Sequence, residues 1–197
     1  MSRNYCQQFE LSEIEYGTFD AEDDYICLSC LQSDDYKIGK NPIECIIKNY
    51  FNQCLAAQYE GPDNVIAVFL TTESAPQSKD QKNFLIEKYR TAPPSEWLSV
   101  AFAVSVNKKQ YHLCCTSEKQ IVFKPGNCPS IIRGDKSEVI FFLQEFSKGH
   151  TAFKFESSLH KDHFLAFKEE NGKQILYLKK PTDEVDESTK FNIDSKQ

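Results

Sequence analysis

A chain of 197 residues, 40% apolar and carrying a net charge of −6, is long enough for one packed domain plus an appendage, and one core is expected rather than two. With a pI near 5.3 and lysines spread evenly along it, the chain has no basic stripe for nucleic acid. No apolar run approaches the ~18 residues of a membrane span. Residues 1–16 lack the charged, apolar and small-residue zones of a secretory leader, so synthesis in the cytosol is expected.

Taken in chain order, the first element is a charge block. Residues 1–34 hold eight acids against the single base Arg3, a net of −7, whereas the rest holds 21 acids and 22 bases. An acidic arm, 1–34, therefore precedes a nearly neutral body, 35–197, with the boundary in the polar segment Leu31 to Asp35. Alternating Phe9, Leu11, Ile14, Tyr16 and Phe19 give the arm apolar side chains with which it can dock.

The body reads as short strands at 43–48, 52–57, 65–70, 83–90, 97–106, 110–115, 120–124, 138–145, 152–157, 163–168, 174–179 and 189–194. Turn clusters separate them, among them Gly61-Pro62-Asp63-Asn64, Ala92-Pro93-Pro94-Ser95, Pro125-Gly126-Asn127, His160-Lys161-Asp162 and the hairpin pair Asn171-Gly172. Within 97–106, Phe102, Val104 and Val106 share one face and Ala101, Ala103 and Ser105 the other, the pattern of a half-buried strand. A helix is compatible with 137–147 or with the polar loop 71–82. Strands so short and so evenly spaced cannot bury their faces alone, so the chain is expected to be all-β and to close into a small body.

Eight cysteines in a long chain with no secretory leader are expected to be reduced. Cys45 and Cys54 sit in strand-like runs as small hydrophobes. Tandem Cys114 and Cys115 point to opposite faces of a strand, so at most one of them is expected to be buried.

Four blocks in the C-terminal half carry a family likeness: Ile140-Phe141-Phe142, Phe155-Glu156-Ser157-Ser158, Phe164-Leu165-Ala166 and Leu178-Lys179-Lys180. In this order they resemble the interleukin-18 group of the interleukin-1 family of cytokines, and a weaker likeness reaches back through Ile43 to Lys124 and into the N-terminal segment. The resemblance implies a β-trefoil of three four-stranded units, although no repeat is visible in the residues themselves. It also implies an inactive precursor with an N-terminal acidic propeptide. The mature cytokine would leave the cytosol by a signal-peptide-independent route, through acidic-lined pores. As an extracellular monomer it would join the alpha and beta chains of an immunoglobulin-like interleukin-18 receptor and induce interferon-gamma. A soluble interleukin-18-binding protein is a further partner of that kind.

The segment Leu31-Gln32-Ser33-Asp34 has the form that an inflammatory caspase cuts, a bulky apolar residue three places before an aspartate whose carboxylate an arginine fork can grip. It also lies where the arm ends, as the resemblance requires. Asp35, a charged residue just after that bond, makes cleavage after Asp35 itself the second choice. Carried over position by position, the resemblance implies receptor contacts at Lys48, at Asn52 (which replaces an acid), at the basic pair Lys119 and Lys124, and at Glu138, which stands for an aspartate. Surface lysines at strand ends are more often merely solvated.

Enzymatic readings are poorly supplied. Cys27 and Cys30 have redox or zinc spacing but no second pair. His112 beside Cys114 and Cys115 lacks oxyanion donors. His150, His160, Asp162 and His163 fit a polar turn better than a metal site. No catalytic residue, cofactor or metal is expected. Arg133-Gly134-Asp135 spells an integrin-type triplet, which chance also supplies. The main alternative is a cytosolic trefoil module for a carbohydrate or cytoskeletal ligand, with no proteolytic activation.

Overall fold

The computed structural model describes residues 35–197, apart from 62–63, 72–78, 92–95, 148–150, 183–184 and 196–197. Among the described residues there are fourteen strands, two single 3-10 turns and no α-helix. The strands are β1 (Tyr36–Ile38), β2 (Ile43–Asn49), β3 (Cys54–Gly61), β4 (Asn64–Leu70), β5 (Phe84–Arg90), β6 (Leu98–Val106) and β7 (Lys109–Cys115). They continue as β8 (Ile121–Pro125), β9 (Ile131–Ile132), β10 (Phe141–Glu145), β11 (Ala152–Ser157), β12 (Phe164–Glu170), β13 (Lys173–Lys179) and β14 (Phe191–Ser195). All twelve strands expected from the sequence are present, and β1 and β9 are additional.

Six strands close a ring through antiparallel ladders: β2 pairs β14, β14 pairs β11, β11 pairs β10, β10 pairs β6, β6 pairs β5, and β5 returns to β2. Closure leaves no unpaired edge in the barrel. Three hairpins, β3–β4, β7–β8 and β12–β13, hang from the ring, and β4 touches both β13 and β8 so that they cap it together. The chain thus divides into β2–β5, β6–β10 and β11–β14, a β-trefoil of three units.

The barrel interior is built from phenylalanines set on alternate positions of the ring strands. Phe102 meets Phe155 edge-on at 5.0 Å and Phe141 at 5.6 Å, while Phe155 reaches Phe191 at 5.8 Å. All four are buried, together with Ile47, Leu113 and Leu165. Turn chemistry agrees with the fold where special backbone is needed. Asn171 (φ 52°) and Gly172 (φ 74°) carry the positive φ pair of a type I′ turn, which puts Glu170 opposite Lys173.

Three expectations are corrected. Residues 141–145 form strand β10 rather than a helix. The strand reading of 138–145 holds and its helical alternative does not, with Phe141, Leu143 and Gln144 buried. In the loop 71–82 the described part holds only a single 3-10 turn, Lys79–Lys82. Strand β6 is not half-buried: Phe102 and Val104 face the barrel while Ala101 and Ala103 face a second apolar cluster.

That second cluster also explains the tandem cysteines. Cys115 lies in the barrel core and Cys114 in the outer cluster with Tyr36, Tyr89, Cys128, Val139 and Ile140, so both are fully buried, against expectation. Opposite faces of a strand bury different residues when a layer covers each face. Here the outer cover includes β1, which pairs β5 and β9. Cys45 and Cys54 are buried as expected, and Cys45, Cys54, Cys114, Cys115 and Cys128 are free thiols.

Candidate functional site

The residues expected to contact a partner fall into two groups. The first sits at the β2–β3 turn. Asn49 is fully buried and ties that turn: its backbone N–H donates to the Gln53 carbonyl (3.0 Å), its side-chain oxygen accepts the Gln53 N–H (2.9 Å), and its amide donates to Gln53 Oε1 (2.7 Å). The tip so fixed is Tyr50-Phe51-Asn52. Asn52 adopts φ 61°, a left-handed conformation that asparagine tolerates well, and donates its N–H to the Asn49 carbonyl (2.9 Å).

Lys48 points its ammonium at Asp194 on β14, at 2.6 Å, with both side chains about a quarter exposed. The pair bridges the seam where the first trefoil unit meets the third. Sequence reading missed Asp194, which lies at the other end of the chain and joins Lys48 only through the β2–β14 ladder. It also missed Tyr50 and Phe51, exposed aromatics beside Asn52. Phe51 leans edge-on against Phe167 (5.5 Å), and the Lys190 ammonium stands 5.6 Å from the Tyr50 ring. Two large apolar side chains in a polar turn are the signal that would have found them.

The second group surrounds the β7–β8 hairpin. Lys124 pairs with Glu138, both exposed, and this contact holds the lysine's pKa above its ordinary value. The Glu138 main chain is itself anchored, its carbonyl accepting the Cys115 N–H at 2.7 Å. Lys119 occupies the hairpin turn at φ 64° and donates its N–H to Thr116. Lys124 and Glu138 thus form one pair, while Lys119 lies at the other end of β8, in the hairpin turn.

The remaining expected residues separate. Leu31, Gln32, Ser33 and Asp34 lie outside the described residues, as do Cys27, Cys30 and His150. Asp35 is described and buried, 5% exposed, with its carboxylate accepting the Gly134 N–H at 3.0 Å. The Tyr36 hydroxyl donates to the Asp135 carbonyl (2.8 Å), so the Arg133-Gly134-Asp135 triplet is tied to the start of the body through its backbone.

The enzymatic candidates do not assemble. His160 Nε2 sits 2.8 Å from the Thr116 carbonyl and His163 Nδ1 2.9 Å from the Lys161 carbonyl, both occupied by main chain. Among the described residues no group of acids, histidines and cysteines is arranged to hold a metal. Burial pushes the Cys114 thiol up to about 11 and the Cys128 thiol up to about 12, the reverse of what a nucleophile needs. No helix among the described residues is long and apolar enough to cross a membrane.

The same fold occurs in solved structures. The crystal structure of chicken cytokine interleukin 1 beta superposes with a TM-score of 0.57 over 81% of this chain and 99% of that one, at 15% identity. The chicken IL-1 hydrophobic cavity mutant superposes at 0.58 with 16% identity over the same shares. The botulinum neurotoxin serotype C1 binding domain also superposes, at 0.52 and 12% identity over 86% of this chain and 47% of that one, so the fold alone does not decide function.

Sequence comparison narrows the choice. A family model described as Interleukin-1 / 18 matches residues 73–193. Interleukin-18 of Gallus gallus is 41% identical over 156 residues, covering 76% of this chain and 78% of the relative. Interleukin-18 of Bos taurus is 31% identical over 193 residues, 96% of this chain and 94% of the relative. These relatives are cytokines, not enzymes. With the trefoil closed and its matching residues in place, the chain belongs to the interleukin-1/18 family, on the interleukin-18 side.

Proposed function

We propose that the chain is the precursor of an interleukin-18-type cytokine. It is activated by an inflammatory caspase that cuts near Asp34, and it then joins the two chains of an immunoglobulin-like receptor to induce interferon-gamma. The precursor stays in the cytosol and the trimmed form acts outside the cell. Family membership supplies the class of activity.

One observation carries the two-chain reading. The contact-capable residues lie in two separate groups, Lys48, Asn52 and Asp194 at the β2–β14 seam and the β2–β3 turn, and Lys119, Lys124 and Glu138 around the β7–β8 hairpin. A single receptor chain needs one patch, whereas bringing two chains together needs two that do not overlap. Exposed pairs such as Lys124–Glu138 contribute little to stability, well under ~1 kcal/mol, which leaves their charges available for steering a partner.

Removing residues 1–34 takes away seven net negative charges and leaves a product of net +1, easing passage through acidic-lined pores. The arm's apolar residues also favour a masking role before the cut. The test applies the intact chain and the caspase-trimmed product separately to cells that carry both receptor chains. Only the trimmed product should induce interferon-gamma, and equal activity of the two forms refutes the precursor reading.

A further inference from the structure

One charged loop has no part in the function proposed above. Arg133-Gly134-Asp135 follows β9 and precedes the buried Ser137, and its two charged side chains are exposed while Gly134 between them is half-buried. Among the described residues, no ion pair engages the Arg133 guanidinium or the Asp135 carboxylate. The main chain of the loop, by contrast, is held from both sides. The Gly134 N–H donates to the carboxylate of buried Asp35 at 3.0 Å, and the Asp135 carbonyl accepts the Tyr36 hydroxyl at 2.8 Å. Before the triplet, Ile131 and Ile132 pair with Lys37 and Tyr36 of β1. After it, the Ser137 N–H donates to Ser158 Oγ at 3.1 Å, and the Ser158 hydroxyl donates back to the Ser137 carbonyl at 3.0 Å. Gly134 adopts φ 84°, where a side chain is strained, yet a Cβ there would meet open space. The bend, not crowding, requires the glycine.

We propose that this loop is a docking site for an adhesion receptor of the integrin type, which takes the Asp135 carboxylate on a divalent cation and the Arg133 guanidinium between acidic groups. A bound Mg²⁺ keeps few protein ligands and accepts a carboxylate oxygen from a partner, while a guanidinium presents a rigid fork of donors to carboxylates. Both contacts need side chains whose charges are not already neutralised, set apart by a fixed spacer. The triplet supplies opposite charges two residues apart on either side of one bend. A chance triplet is under no requirement to be exposed or anchored, and this one is both. A loop held in place before it binds loses less conformational freedom on binding, and loops positioned by a rigid scaffold are where recognition is commonly carried. None of Lys48, Asn52, Lys119, Lys124 and Glu138 takes part, so this site stands apart from the two-chain receptor.

The full chain is passed over a surface carrying a purified integrin ectodomain that binds Arg-Gly-Asp peptides, in Mg²⁺ and again in EDTA. Binding is expected in Mg²⁺, is lost in EDTA and is displaced by a soluble Arg-Gly-Asp peptide. Asp135→Glu keeps the charge but moves it out by one methylene, and it should weaken binding at least about tenfold, as should Arg133→Ala. Both positions are exposed, so neither change disturbs the core. Lys136→Ala, an exposed neighbour outside the triplet, should bind like the parent. Gly134→Ala leaves both charges in place and should still weaken binding, because the bend no longer suits the residue. Absence of binding in Mg²⁺, binding that survives EDTA, or binding that Asp135→Glu leaves unchanged overturns the proposal. The receptor chains are absent from this experiment, so its failure would leave the cytokine reading intact.

Discussion

At the scale of single residues, burial decides which groups are chemically silent. An exposed thiol ionises near 9.0, but Cys114 holds its proton to about 11 and Cys128 to about 12, chiefly because burial disfavours the thiolate. Between those values the folded chain binds more protons than the unfolded one, so stability is unaffected below pH 9 and falls as pH rises above it. The slope is about 1.4 kcal/mol per thiol per pH unit. Urea midpoints should therefore drop clearly between pH 8.5 and pH 10.5, and a Cys114→Ala, Cys128→Ala chain should lose much of that drop. At the surface the energetics invert. Lys48→Glu sets a carboxylate against Asp194 and reverses the charge offered to a partner, so receptor affinity measured on a sensor surface should fall about tenfold or more. Asp194→Asn, which keeps the lysine, separates loss of the ion pair from loss of the contact. Unchanged affinity for Lys48→Glu would remove Lys48 from the interface.

At the scale of elements, turns and ladders carry the register. Gly172 has open space around the position of a Cβ, so Gly172→Ala tests backbone conformation alone. Forcing a side chain into φ 74° should cost about 1 kcal/mol in chemical denaturation, whereas Asn171→Gly should be nearly neutral. Elements of this kind were legible because each has a local signature: five or more residues of strand-forming side chains, then a turn residue with a known φ. Strands β1 and β9 were not, since three and two residues show no period and become strands only by pairing with each other and with β5. Strand β10 was legible as the run 138–145, although the same stretch also admitted a helix. The candidate site was partly legible. Lys48, Lys119, Lys124 and Glu138 came from the family likeness, but the ion pairs that organise them join distant segments and appear only once the ring closes. Likewise, burial of Asp35 follows from the 133–135 turn, nearly a hundred residues away in sequence.

At the scale of the molecule, ring closure makes three sequence segments one cooperative unit. Phe155 on β11 of the third unit touches Phe102 on β6 of the second and Phe191 on β14, whose other neighbour is β2 of the first. Truncating that ring removes contacts from every unit at once and enlarges the narrow apolar space it shares with Ile47, Leu55 and Leu113. Phe155→Ala should cost about 3–5 kcal/mol, a large part of the ~5–15 kcal/mol that holds a domain together. The melting temperature should fall by roughly 10 °C. Because the loss is shared among units, near-ultraviolet dichroism and tryptophan fluorescence from Trp97 should shift together, in one transition. Two separated transitions would mean that the trefoil units unfold independently and that the barrel is not the source of their coupling. Well below its melting point the variant should still bind receptor, since Phe155 lies inside the ring and both charged groups lie outside it. A large affinity loss in a chain that remains folded would show that core packing sets the geometry of the two faces, and that Lys48 and Lys124 act only in the spacing the phenylalanines impose.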